Sequence, residues 1–355
     1  NWIELNLKNL PRVAVHDIVV HPRDNDLILA THGRSLWVFD DAAPIQQLSD
    51  TILQSPTYLF NVRPTYRFTT RFTRYGIGDK LFQGANPPNG AIITYYLKDK
   101  PDAKTSLKFE IYDAAGKKIS EVKNLPKERG INRTVWNLSH DGARLRRPPP
   151  PEQIEFFGPP RGPQAVPGVY TVKLFVGDKV QQETKVEVRV DPTVSVTTAE
   201  LQTQFDLALR LRDMVSTLND GLRLLDSAKQ QAEQIEKVAN DRLTDVSPNL
   251  TKALADYKKR VDTLTGDLVV GEEDGIRASA KLTDQLGGLY FTVGGGNAAP
   301  TAAMREQFNL LQTQLPSKIG DINRFINEDT TKLNEILQKA GLPIIIVGKA
   351  IEPSR

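Results

Sequence analysis

The stretch Val15–Asp41, VHDIVVHPRDNDLILATHGRSLWVFDD, decides how the rest of this chain is read. Ile18, Val19 and Val20 form an apolar strand that runs into the turn His21-Pro22-Arg23-Asp24-Asn25-Asp26. A second strand, Leu27 to Ala30, follows, then a turn at Gly33 and a third strand from Leu36 to Phe39. Three short strands joined by tight turns make about one blade of a β-propeller. A single blade cannot bury its own faces without neighbours. No second copy of the pattern occurs downstream, and the chain opens at Asn1 rather than Met. The expectation is the C-terminal portion of a longer propeller protein, whose upstream blades are the first partner of this segment.

Composition sets the remaining bounds. With 355 residues, 39% apolar and 25% charged, the chain can hold two or three domains with cores of their own. Lys plus Arg number 46 against 43 Asp plus Glu, a net charge of +3. That balance gives no global field for nucleic acid or an anionic membrane. No apolar run approaches the roughly 20 residues of a membrane span, so neither a nucleic-acid partner nor an integral membrane protein is expected. The absence of cysteine removes disulfides, thiolate metal sites and a Cys nucleophile, and is in keeping with export.

Outward from the blade, residues 1–50 form the incomplete propeller part and 51–89 a connector. In RPTYRFTTRFTRY the residues Arg63, Thr65, Arg67, Thr69 and Arg71 share one parity, and Tyr66, Phe68 and Phe72 the other. This alternation predicts a half-buried strand with its arginines facing out. Residues 90–192 read as an antiparallel β-sandwich of six strands: 91–97, 107–113, 117–122, 134–137, 168–176 and 180–190. Gly116 and Gly177 supply the hairpin turns. An insertion at 144–167, rich in proline, predicts an exposed polyproline-like loop. Residues 193–355 read as a helical bundle. Thr197 and Glu200 form a capping box for its first helix, and Ser247-Pro248 starts a second. Further helices are expected at 276–289, 302–315 and 319–337. The run Leu342–Val347, LPIIIV, is too short to span a membrane and reads as a buried strand or packed tail. The fold class is therefore multidomain β + α: a partial blade, an Ig-like sandwich and an all-α bundle.

No catalytic constellation, metal site or cofactor site is expected. His16, His21 and His32 lie in the blade among several aspartates, but their spacing matches no standard ligand pattern. His16 and Asp17 are adjacent, so they point to opposite faces of a strand. Ser139-His140-Asp141 is a turn, since consecutive side chains diverge too far to form a triad. Arg63, Arg67, Arg71 and Arg74, interleaved with aromatics, mimic a nucleic-acid groove. Near-neutral charge favours a solvated face, or arginines that dock the strand to the propeller. The binding candidates are Arg34, in the Thr31–Ser35 turn, and Arg146, Arg147, Phe156 and Phe157 in the proline-rich insertion. A stiff loop with aromatic anchors loses little entropy on docking.

Several phrases carry a resemblance across nearly the whole chain: HPRDNDLILATHGRSLWVFDD (21–41), GANPPNGAIITYYL (84–97), GINRTVWNL (130–138), PGVYTVKL (167–174), DPT (191–193), AAPT (298–301) and LNEILQKAGL (333–342). In this order they resemble the bacterial sortilin-like, BNR-repeat β-propeller proteins, a group that carries a glycosyl-hydrolase label. The sandwich is similar to that of flagellar hook-capping proteins. The resemblance implies an exported bacterial protein, located in the periplasm, on the cell surface or outside the cell. It brings no catalytic set to this chain, because sialidase-type arginines, tyrosine and acid would sit in other blades and the S-x-D-x-G-x-T-W repeat hallmark is missing. The leading expectation is a non-catalytic structural and interaction segment that braces the propeller and offers protein or glycan contacts. The alternative is part of a glycoside hydrolase whose chemistry lies upstream.

Overall fold

The computed structural model describes residues 10–68, 88–157, 160–242, 246–271 and 279–352, with the backbone alone for 155–157. The chain divides into two compact units. One comprises Asn1–Thr65, Phe82–Asn137 and Gly168–Glu187; the other comprises Tyr66–Leu81, Leu138–Pro167 and Val188–Arg355.

The first unit opens with an antiparallel meander of β1 (Val15–Val20), β2 (Leu27–Thr31) and β3 (Leu36–Phe39). The six-residue turn between β1 and β2 is closed by its own groups. His21 N–H donates to Asp26 O at 2.8 Å, and Asn25 N–H donates to His21 O at 2.9 Å. Asn25 adopts φ +55° to complete the turn, and Gly33 adopts +67° in the next one. Two short helices follow, α1 (Ala43–Gln47) and α2 (Asp50–Gln54), the second capped by Ser49 accepting from the Ile52 N–H.

Two sheets then pack face to face. A three-stranded sheet has the order β4 (Thr57–Leu59), β6 (Ala91–Leu97), β9 (Gly130–Trp136). A five-stranded sheet has the order β5 (Thr65–Arg67), β11 (Lys179–Val190), β10 (Gly168–Val176), β7 (Leu107–Tyr112), β8 (Lys118–Val122). Alternate residues of each strand point inward, as a half-buried strand requires. Ile93, Tyr95 and Leu97 of one sheet and Phe109, Ile111, Val172 and Leu174 of the other are thus all fully buried or nearly so. Tyr95 lies edge-on to Phe109 at 5.4 Å between ring centroids, and Trp136 edge-on to Tyr170 at 5.2 Å. The six expected strands are all present, with hairpin glycines Gly116 and Gly177 at φ +77° and +60°. β4 was not expected; three residues are too few to show alternation.

On the outer face of the five-stranded sheet, Glu110 and Glu121 sit directly opposite each other on β7 and β8. Like charges in that position repel. Three lysines offset the repulsion: Lys118 Nζ lies 2.7 Å from Glu121 and 3.1 Å from Glu110, Lys108 Nζ 2.8 Å from Glu110, and Lys123 Nζ 3.0 Å from Glu121. The hydrogen bond from Lys118, followed by those from Lys123 and Lys108, outweighs burial and lowers the Glu121 carboxyl to about 2.

The second unit is built on α4 (Thr198–Arg242), 45 residues and about 68 Å long. Its start is the expected capping box: Thr197 N–H and Oγ1 donate to the Glu200 carboxylate, and Glu200 N–H donates to Thr197 Oγ1. Against it pack α5 (Pro248–Gly266), α6 (Leu282–Gly294) and α7 (Ala302–Arg324), while α8 (Thr330–Lys339) packs against α5, around a core that includes Leu211, Leu222, Leu254, Leu286, Ile319 and Leu337. The expected break near Pro316 does not occur. Pro316 lies inside α7, because Leu315 and Ile319 are both buried and hold the helix through the lost hydrogen bond. The discontinuity comes later, at a π-helical turn, Phe325–Asp329. Of the helix expected at 276–289, residues 276–278 lie outside the described residues, and α6 begins only at Leu282.

The connector differs from its expected polarity. Arg67 is 4% exposed while Phe68 is 46% exposed, the reverse of arginines facing water. The Arg67 guanidinium is taken up by oxygen acceptors of its own unit: Gln164 Oε1 at 2.7 Å, Gln204 Oε1 at 3.1 Å and Ala165 O at 3.4 Å. A buried charge needs such acceptors, and they come from residues about a hundred positions away. Thr69, Arg71, Phe72 and Arg74 lie outside the described residues.

Candidate interaction site

The β1–β3 meander presents two apolar faces. Cross-strand register places Ile18, Leu29 and Trp37 side by side, with Val20, Leu27 and Phe39 beside them on the same face. The opposite face carries Val19, Ile28 and Val38, flanked by Ala30 and Leu36. No residue of the three strands is buried. Ile18 is 59% exposed on one face; Val38 at 56% and Leu36 at 67% are exposed on the other. An ordinary antiparallel sheet alternates, with one apolar face inward and one polar face outward. Apolar side chains on both sides depart from that pattern.

Polar contacts within the first unit fix one end of this meander. Arg63 reaches Asp41 at 3.3 Å and Asp24 at 3.6 Å, and Arg133 donates to Asp40 O at 2.8 Å. Asp41 N–H donates to Asp26 Oδ1, and Asn25 Nδ2 donates to Gln46 Oε1. Hydrogen bonding from Arg23, opposed by desolvation and aided by the charges of Arg23 and Arg63, holds the Asp24 carboxyl below its ordinary value. Arg63 therefore docks the connector on the meander, one of the two roles expected for these arginines.

Arg34 is exposed in the β2–β3 turn. Its carbonyl, rather than its guanidinium, meets Trp37, accepting from Nε1 at 2.9 Å. His21 serves its turn, with Nδ1 accepting from Asp24 N–H at 3.2 Å. His16 and His32 lie with ring centroids 4.9 Å apart. Among the described residues no three or more His, Cys, Asp or Glu side chains converge as a metal-ligand group.

The other candidates lie in the second unit, where the insertion is strapped to α4. Arg144 pairs with Asp220 at 2.6 Å and donates its N–H to Ser216 Oγ, while Asn219 Nδ2 donates to Arg144 O. Arg146 makes two hydrogen bonds to Asp226, at 2.8 and 2.5 Å, and Arg147 stands 3.5 Å from the same carboxylate. Burial pushes the Asp226 carboxyl upward. The hydrogen bonds of Arg146 and the charges of both arginines overcome this and lower it. Arg146 thus pins the loop, and Arg147 is the more exposed of the two. Pro151–Phe157 forms a short helix, α3, within the stretch expected to be polyproline-like throughout. The side chains of Phe156 and Phe157 lie outside the described residues. Ser139-His140-Asp141 is structural: Ser139 bridges Gln164, and the His140 ring packs on Phe205 at 4.7 Å.

Sequence reasoning did not identify Asp220 and Asp226 as the partners of the loop arginines. They sit on the polar face of α4, which is legible as a face, but nothing local marks which acid meets which loop. No helix among the described residues is long and apolar enough to cross a membrane. In sequence comparison the chain matches no protein-family model and no curated protein.

Proposed function

We propose that this chain is a non-catalytic bracing and interaction segment of an exported, sortilin-like β-propeller protein. The β1–β3 meander acts as one blade, the facing sheets as an Ig-like sandwich, and the helices as a bundle that adds protein or glycan contact surface. One observation supports this above all: the meander exposes apolar side chains on both faces. At about 25 cal/mol per Å² of apolar surface, covering both faces is a strong drive toward neighbouring sheets.

The test joins this chain to neighbouring propeller blades in one polypeptide and compares the wild-type sequence with Ile18→Lys and Val38→Lys versions, one per face. Each substitution should lower its melting temperature and raise binding of a hydrophobic dye. Unchanged melting and dye binding in both would remove the proposal, as would turnover of a glycan by this chain alone.

A further inference from the structure

The segment after α8 crosses the second unit as an extended strap. Gly341, at φ +66°, turns the chain out of the helix, and residues 342–352 form neither helix nor strand. Three carboxamide side chains from three helices hold its backbone. On α8, Asn334 Oδ1 accepts from the Ile345 N–H at 2.8 Å while its Nδ2 donates to the Ile345 carbonyl at 2.9 Å. On α4, Gln231 does the same for the next residue, accepting from the Ile346 N–H at 2.9 Å and donating to its carbonyl at 3.0 Å. On α7, Asn323 repeats the pattern at Ile351, at 2.8 and 2.9 Å. Successive residues of an extended chain turn their polar groups to opposite sides. Asn334 and Gln231 therefore grip Ile345 and Ile346 from opposite flanks.

Only some of its side chains add to this grip. Leu342 and Ile345 are buried in the bundle core and Val347 and Ile351 pack against it, but Ile344 and Ile346 are 40% and 73% exposed. A segment serving only to complete a core would bury these isoleucines as well. Here six hydrogen bonds read main-chain groups, which every sequence possesses, and four apolar side chains, Leu342, Ile345, Val347 and Ile351, provide the anchors. Recognition of an extended chain through its backbone, with pockets for a few side chains, is the logic of a peptide site.

We propose that α4, α7 and α8 frame a binding groove for extended apolar peptides, and that residues 342–352 are its tethered, displaceable occupant. The ligand class is a strand-like segment of another polypeptide with apolar residues at i, i+3, i+5 and i+9, matching Leu342, Ile345, Val347 and Ile351. The intervening positions are open to most side chains. The groove stands independently of the propeller reading, because it lies wholly within the helical unit.

Hydrogen exchange on the intact chain tests displaceability first. The amides of Ile345, Ile346 and Ile351 should exchange at least tenfold faster than buried amides of α4 and α7, showing that the strap leaves while the helices persist. Exchange of all of them at one rate would overturn the proposal. The second measurement uses a site-specific protease sequence inserted between Gly341 and Leu342 of the full chain, cut after folding. The cut protein should keep its helical circular dichroism and take up a fluorescent peptide of residues 341–352, one per chain, in a saturable manner. Asn334→Ala and Gln231→Ala should each weaken uptake by about tenfold, the effect of losing two backbone hydrogen bonds. Loss of helix on cutting, no uptake, or uptake indifferent to both substitutions would each refute the groove.

Discussion

Arg146 and Arg67 show how differently two arginines of this chain are used. Arg146 holds the proline-rich insertion against α4 through Asp226, with both side chains less than one-third exposed. Removing it leaves a partly buried carboxylate with only Arg147 nearby. Arg146→Ala should therefore destabilise the helical unit by about 1–3 kcal/mol, the cost of losing hydrogen bonds to a charged group. Urea unfolding monitored by circular dichroism would measure this, and limited proteolysis should show faster cleavage within 144–167. Arg147→Ala, with its longer contact and greater exposure, should change stability by less than about 0.5 kcal/mol. Arg67 was legible only as a member of an alternating strand. Its burial depends on Gln164, Ala165 and Gln204, acceptors that no local pattern connects to it.

At the scale of elements, patterns that depend on neighbours in sequence were readable and those that depend on tertiary packing were not. The strands 91–97 and 107–112, the hairpin glycines and the capping box at Thr197 all follow from side-chain alternation, backbone φ and local hydrogen bonds. Pro316 illustrates the opposite case, since a proline that lowers helix propensity is overridden by buried neighbours one turn apart. The β7–β8 pair carries a pH dependence of its own. Glu121 titrates near 2 in the folded chain against an ordinary 4.5. A depressed carboxyl pKa contributes stability that is complete above about 4.5 and is lost as pH falls toward 2. Glu121→Gln should thus be less stable than wild type at pH 6, and the gap should shrink as pH drops from 4.5 to 2. Denaturant midpoints at pH 6, 4 and 2.5 would show whether the two curves converge.

For the whole molecule, the contrast lies between cores that are sealed and a meander that is not. The facing sheets and the helices each enclose fully buried aromatic and aliphatic side chains, whereas β1–β3 encloses none. The chain on its own should therefore bind a hydrophobic dye at neutral pH. Amides of β1–β3 should exchange faster than those of β6 and β7, as few buried contacts imply; equal protection would show the meander covered. Composition, apolar periodicity and turn residues established a β-rich first part, a helical second part and the outlines of nearly every long element, because these are local consequences of side-chain shape and spacing. Which arginine is buried, which acids strap the insertion and which carboxamides hold residues 342–352 were decided by the tertiary structure alone. Those partners lie from about ten to more than a hundred residues apart, and a hydrogen bond forms wherever folding brings donor and acceptor together, leaving no imprint on the sequence around either one.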